Sequence, residues 1–369
     1  MCKKNIPGEK LMKKQNLVFV MIVTVVTVLD LSCKDTGTNP NQTIKAPREM
    51  TWTADTLPVP EGAIQVLPED LLVLSPTDIY LAIWVGHGQI MHYDGKSWKM
   101  VKEIGGGIDC FIQGNSNDIW AGGYIGHQNG SQFMRSIYLG NYNGISWYDN
   151  ELSMQSEILD LTKDPDGNIW ACGRNGVVLK YTQGRWISDI IKISFAYPAE
   201  YFLKSIESYN NKIYILASSM NTNTLVEKYF YITGDMKNWT IADSMTLDSP
   251  SSIIKWGYRG IYSYNFNKLY SYGLGGIWQY NDGLWNKLLE TDGAINGITY
   301  TDENYLLAVG DFQKILFYNG STWTNVNDLF HVKDPYFVFK NVWTNGYESF
   351  MVGYTFQGNP QKTIIFHGK

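Results

Sequence analysis

Asp164, Asp166 and Asn168 stand at alternate positions, the spacing with which a calcium-binding loop opens its ligand set. Such a loop also needs Gly at its sixth position and a distal Glu, and neither is present. The segment therefore reads as a turn between strands, with Asp166-Gly167 and Asn168 supplying its backbone preferences. The five histidines, His87, His92, His127, His331 and His367, include no pair at the short spacings that mark a ligand set. His87 and His127 fall in comparable loops of adjacent units, but a zinc site needs three or four ligands. No metal and no cofactor is expected. Gly-x-Ser-x-Gly, a Walker loop and His-Glu-x-x-His are absent, so no catalytic residue is assigned and an enzyme is not the first expectation. Cys110 and Cys172 read as small buried apolar residues in strands of neighbouring units.

A stronger pattern lies in residues that do no chemistry. A Gly shortly before a Trp recurs about every 45 residues, ending at Trp98, Trp147, Trp186, Trp239, Trp285 and Trp323, at intervals of 49, 39, 53, 46 and 38. Most of these pairs follow Asp-Gly or Asn-Gly, as in Asp94-Gly95 and Asn319-Gly320, which supply the positive φ of tight hairpins. Upstream in each unit is a short apolar strand opened by a turn, such as Asp78-Ile79-Tyr80 or Asn168-Ile169-Trp170. Four antiparallel strands per unit, repeated radially, describe a β-propeller blade. The aromatic content of 14% fits large rings wedged between twisted sheets.

The count gives seven blades over residues 50–369. The seventh unit stops at Thr363–Lys369, short of its Trp, while Met50-Thr51-Trp52-Thr53 lies 46 residues before Trp98. The N-terminal strand is expected to complete the last blade by pairing with residues 363–366, which removes both free sheet edges.

Asp164–Gly176 resembles the repeat of two-component-regulator sensor propellers. Thr233-Gly234-Asp235-Met236-Lys237-Asn238-Trp239 resembles the Asp-box hairpin of sialidases and of photosystem-assembly-factor-like propellers. The resemblance covers all seven units and implies the fold. A sialidase would bind its substrate with an Arg cluster. Beyond the N-terminal segment this chain has only Arg48, Arg135, Arg174, Arg185 and Arg259, with Arg185 in a hairpin.

Residues 1–32 read as a signal peptide: Lys10, Lys13 and Lys14, then an apolar run from Leu17 to Leu29, too short to span a bilayer comfortably. Leu31-Ser32-Cys33 resembles a bacterial lipoprotein cleavage site, with Cys33 lipidated and residues 34–49 a flexible tether. Loss of residues 1–32 leaves 25 basic and 33 acidic residues, a net charge of −8 with no basic cluster, so nucleic acid is not an expected partner.

The expected ligand face carries the starts of the innermost strands. Counting back from the second strand of each unit selects Asp70, Cys110, Asp160, Lys204, Gly260, Asn296 and Asn341, with Asp109 adjoining. Asp70, Asp109, Asp160, Lys204, Asn296 and Asn341 form the candidate site, with a bias toward negative charge. Tyr201 and Trp256, on the long linkers 187–202 and 240–260, are placed at its rim, where aromatics suit recognition. The expected function is a non-catalytic binding module, lipid-anchored at the bacterial cell envelope, for a protein or glycan partner. A glycosidase or lyase is the first alternative, which clustered carboxylates with an Arg pair on one face would support. A sensory or assembly ectodomain is the second.

Overall fold

Asp and Asn residues of the hairpin turns do what their spacing implies. The side chains of Asp94, Asn143, Asp235 and Asn319 each accept hydrogen bonds from the backbone N–H groups two and three residues on, at 2.8–3.0 Å. Each closes the hairpin that enters the outermost strand of its unit. A computed structural model describes residues 44–114, 118–193, 199–224, 226–249, 252–302 and 304–369. Cys33, Phe195 and Tyr197 lie outside the described residues. Within them are seven sheets of four antiparallel strands. The innermost strands are Leu67–Ser75, Gly106–Gln113, Ile158–Lys163, Ala199–Tyr209, Gly260–Tyr264, Ile295–Asp302 and Val338–Thr344, in blades one to seven.

Blade seven is closed by the N-terminal strand Trp52–Thr56, hydrogen-bonded to Thr363–Gly368. The register differs from the expected one: Trp52 faces Gly368 and Thr56 faces Ile364. Antiparallel pairing runs the whole strand to the C-terminus, where Thr51 and Lys369 exchange two backbone bonds of 2.9 and 3.1 Å. Of the segment expected to be a tether, residues 44–49 lie on the propeller. Lys45 donates to the Gly346 carbonyl at 2.8 Å. Arg48 forks onto Asp328 at 2.7 and 2.8 Å.

The core is a set of clusters between adjacent blades rather than one centre. The ring of Trp147 meets Tyr80 of blade one edge-on at 6.4 Å. Trp186 meets Trp120 of blade two at 5.3 Å, and Trp285 meets Tyr231 of blade four at 5.3 Å. Each of the six hairpin Trp rings is only half-buried, because the outermost strand leaves one side open to solvent.

One irregularity positions the site. In blades one, two, three, four, six and seven the inner strand carries a β-bulge near its start, at Glu69, Asp109, Leu159, Lys204, Asn296 and Lys340. Arg259 holds the same place before Gly260 in blade five, its N–H bonded to the Tyr272 carbonyl at 2.9 Å. A bulge leaves one residue unpaired and re-aims its side chain.

Candidate functional site

The bulges divide the inner strand starts into two rings. The residues just after the bulge are Asp70, Cys110, Asp160, Ser205, Gly260, Gly297 and Asn341, and several of them tie blades together. Asp70 accepts from its neighbour Leu71 N–H at 2.8 Å and from Phe111 N–H of blade two at 2.7 Å. It also accepts from Asn341 Nδ2 of blade seven at 2.6 Å. Asp160 repeats the device: Leu161 N–H at 2.9 Å, then Ile206 N–H and the Ser205 hydroxyl of blade four, both at 2.8 Å. These carboxylates are pins. Burial pushes Asp70 up to about 6 and Asp160 up to about 7, the donated hydrogen bonds working against it.

The bulge residues themselves line the channel mouth, a cavity of about 790 Å3. Asp70, Asp109, Asp160, Lys204, Asn296 and Asn341 all line it, so these six expected residues do converge. Sequence counting mixed the two rings: Lys204 and Asn296 belong to the bulge set, Asp70, Asp160 and Asn341 to the pins. Asp109 is the least committed carboxylate. Its Oδ2 is buried with no hydrogen-bond partner among the described residues. Burial, then repulsion from Glu69 and Glu157, holds it well above the usual carboxylate range. Lys204 is lowered by burial and lies over the Tyr229 ring at 5.4 Å.

The two expected rim aromatics are placed elsewhere. Trp256 is fully buried between blades four and five, packed beside Tyr231 at 6.3 Å. Residues up to Leu247 extend the outer strand Trp239–Leu247, so little linker is left and its Trp folds under as an anchor. Tyr201 sits over the second hairpin of blade three, its hydroxyl 3.0 Å from the Asn175 carbonyl and 3.2 Å from that of Ile191. It lies within the lengthened inner strand of blade four, not on a free loop.

Residues missed by the counting are as telling. Glu69, Glu157 and Glu227 join the acids at the mouth, and Arg259 and Lys340 join Lys204, so its charge is mixed rather than simply negative. Lys340 pairs with Glu69 at 3.0 Å. Beside the mouth, sharing Arg259, Asn296 and Lys340 with it, is a cleft of about 510 Å3 walled by Phe312, Tyr336 and Phe356. The available signal was Phe312-Gln313, standing where hairpins of this chain place residues suited to positive φ. The opposite face is not bare: a cleft of about 480 Å3 lies between blades three and four, lined by Asp164, Lys180 and Lys237. Asp164 there accepts from Asn168 and from Trp170 Nε1 at 2.9–3.0 Å, closing its own turn. Cys110 and Cys172 are both free and buried, with the Cys172 thiol 3.2 Å from the Leu203 carbonyl.

No known protein family matches the chain, and no curated protein matches it. Solved structures do. YCF48 bound to D1 peptide aligns with a TM-score of 0.55 at 15% identity, over 86% of this chain and 94% of that one. The WD40 propeller of Doa1 aligns at 0.54 and 10%, over 85% and 96%. The extracellular domain of a putative one component system from B. thetaiotaomicron aligns at 0.56 and 12%, over 85% of this chain and 40% of that one. By fold the chain stands with these propellers. The likeness read from its hairpins to photosystem-assembly-factor and sensor propellers is matched in three dimensions. At such identities it extends to the fold alone.

Proposed function

We propose that this propeller is an exported, lipid-anchored, non-catalytic module that binds a protein segment across its channel mouth. The carrying observation is the mouth itself: a wide polar cavity on a rigid scaffold where the bulge residues Asp109 and Lys204, unlike the pins beside them, are not consumed in joining blades. Buried Asp109 Oδ2 and Asn296 Oδ1 both lack partners among the described residues. A neighbour of the same fold is known with a peptide bound, which supports a protein partner over a glycan. The position of Cys33 behind the apolar run supports anchoring at a bacterial envelope. Fatty-acid-analogue labelling of wild type and Cys33→Ala tests that part, and an unlabelled wild type refutes it.

For the binding reading, the chain is used to capture partners from envelope extracts. Asp109→Asn combined with Lys204→Gln is expected to reduce the captured partner at least tenfold. Ile145→Glu, at an exposed hairpin tip of the opposite face, is expected to leave it unchanged. The reverse pattern would put the site on the wrong face.

Hydrolytic or lyase chemistry has one observation in its favour, an Arg pair beside clustered carboxylates. Arg135 and Arg174 approach Glu157 at 3.0 and 3.9 Å. Both are already engaged, however. Arg135 stacks on Tyr124 at 4.9 Å, and Arg174 pairs with Glu200 at 2.7 Å. The binding reading leaves fewer groups unexplained.

A further inference from the structure

The turn between Tyr305–Gly310 and Ile315–Tyr318 is made by Phe312 and Gln313 with φ of +57° and +58°. Two consecutive left-handed residues form the tight hairpin turn that Asn-Gly fills most easily, and a bulky side chain there is strained. The strain is held from one side. Gln313 donates its backbone N–H to Phe337 O at 2.9 Å and its side-chain amide to Asp334 O at 2.7 Å. The Phe312 ring gains little from this, since it stays 58% exposed. Backbone strain that presents an apolar ring to water is the kind of feature kept for recognition.

Around that ring the surface is complementary to a particular chemistry. Tyr336 and Phe356 are 45% and 57% exposed, and Tyr336 meets Phe312 edge-on at 6.1 Å and 67°. The rings therefore wall a notch rather than lay out a flat platform, which suits a side chain better than a sugar ring. At the notch's inner end Arg259 is half-exposed, its ion pair to Asp311 stretched to 3.9 Å. Asn296 donates to Asp311 at 2.8 Å and to Phe339 O at 2.9 Å, leaving its Oδ1 buried without a donor among the described residues. A cation beside an unfilled acceptor and an apolar notch matches a carboxylate, an amide N–H and a large apolar side chain.

We propose that the cleft between blades six and seven takes a large apolar side chain of a peptide whose adjacent carboxylate is held by Arg259, with a peptide N–H donated to Asn296. This rests on the protein-binding reading and names the part of the partner that this site reads. The carboxylate can belong to Asp or Glu or to a chain terminus.

The test uses an array of hexapeptides carrying Leu or Phe next to Asp, Glu or a free C-terminal carboxylate, with matched Lys, Gln and C-terminally amidated controls. Oligogalacturonate serves as an acidic sugar. Apolar–acidic peptides should be enriched at least tenfold over their Lys counterparts, and the amidated arm separates the two sources of carboxylate. Arg259→Gln should reduce binding about tenfold. Phe312→Gly should do the same while melting at the same or a higher temperature, because Gly relieves the turn. Wild-type binding by either variant overturns the proposal. So does equal binding of the Lys peptides, or oligogalacturonate binding without peptide binding. If captured partner is still lost with Asp109→Asn/Lys204→Gln while these peptides fail, only this inference falls. If capture ignores the mouth variants, the broader reading falls with it.

Discussion

Carboxylates that look alike in sequence have opposite duties here. Asp160 receives three donors from two blades, whereas Asp109, one bulge position away in its own blade, has a buried oxygen with none among the described residues. Asp160→Ala strands the N–H groups of Leu161 and Ile206 and should lower stability by about 2–6 kcal/mol in denaturant unfolding, at roughly 1–3 kcal/mol per orphaned group. Asp109→Asn replaces a buried carboxyl without breaking a hydrogen bond and should leave the melting temperature unchanged or higher. Deeper in the channel, Glu207 accepts from Thr162 at 3.0 Å, and burial followed by repulsion from Asp160 raises it to about 8. A carboxyl raised above its unfolded value of 4.5 gives stability that is complete below that value and is lost as pH rises through 8. Asp70 and Asp160, raised in the same direction, add to it, so the melting temperature should fall from mild acid to pH 8, each of the three groups removing at most about 1.4 kcal/mol per pH unit. Glu207→Gln should flatten the fall; an equally steep profile in the variant would rule out this assignment.

At the scale of strands and turns, the sequence was legible wherever a local rule sets the answer. The Asn-Gly and Asp-Gly turns, the six hairpin Trp residues and the closing strand all follow from pairing and turn chemistry. The bulges do not, because an extra residue in an inner strand leaves no mark in composition. Counting back a fixed interval therefore landed on Ser205's neighbour Lys204 and Gly297's neighbour Asn296, but on Asp70 and Asp160 themselves. Trp256 was misread for a related reason: a Trp in a linker looks exposed until the outer strand is known to run on to Leu247. Its burial makes a ranking. Trp256→Ala should cost about 3–5 kcal/mol, whereas Trp186→Ala, half-buried, should cost nearer 2. Deleting residues 50–56 opens blade seven, removing the pairing of Trp52–Thr56 and the packing of Trp52 on Phe330 at 4.7 Å. A large drop in melting temperature is expected, and an unchanged one would contradict the closure.

Across the whole molecule the mouth is polar in both senses of the word. Acids cluster on blades one to three, with Glu69, Asp70, Asp109, Glu157 and Asp160; bases lie on blades four, five and seven, with Lys204, Arg259 and Lys340. Glu227 is the exception on the basic side, and the Lys340–Glu69 pair joins the two arcs where blade seven meets blade one. A sevenfold scaffold thus carries a twofold division of charge, which would give a segment bound there a direction as well as a place. An extended peptide lying across the opening would meet its acidic end at blades five to seven and any basic end at blades one to three. Electrostatic arrangement of this sort acts mainly on encounter rate and orientation. The association rate of a peptide acidic at one end and basic at the other should fall as salt is raised from 0.05 to about 0.5 M, with the Debye length shrinking toward 4 Å. Its dissociation rate should change less. Single charge removals should then act with opposite signs on a purely acidic peptide: Arg259→Gln slows its association and Glu69→Gln speeds it. Stopped-flow binding at two salt concentrations reads both effects. If the two variants shift the rate in the same direction, the arcs do not orient the ligand, and the mouth works by shape alone.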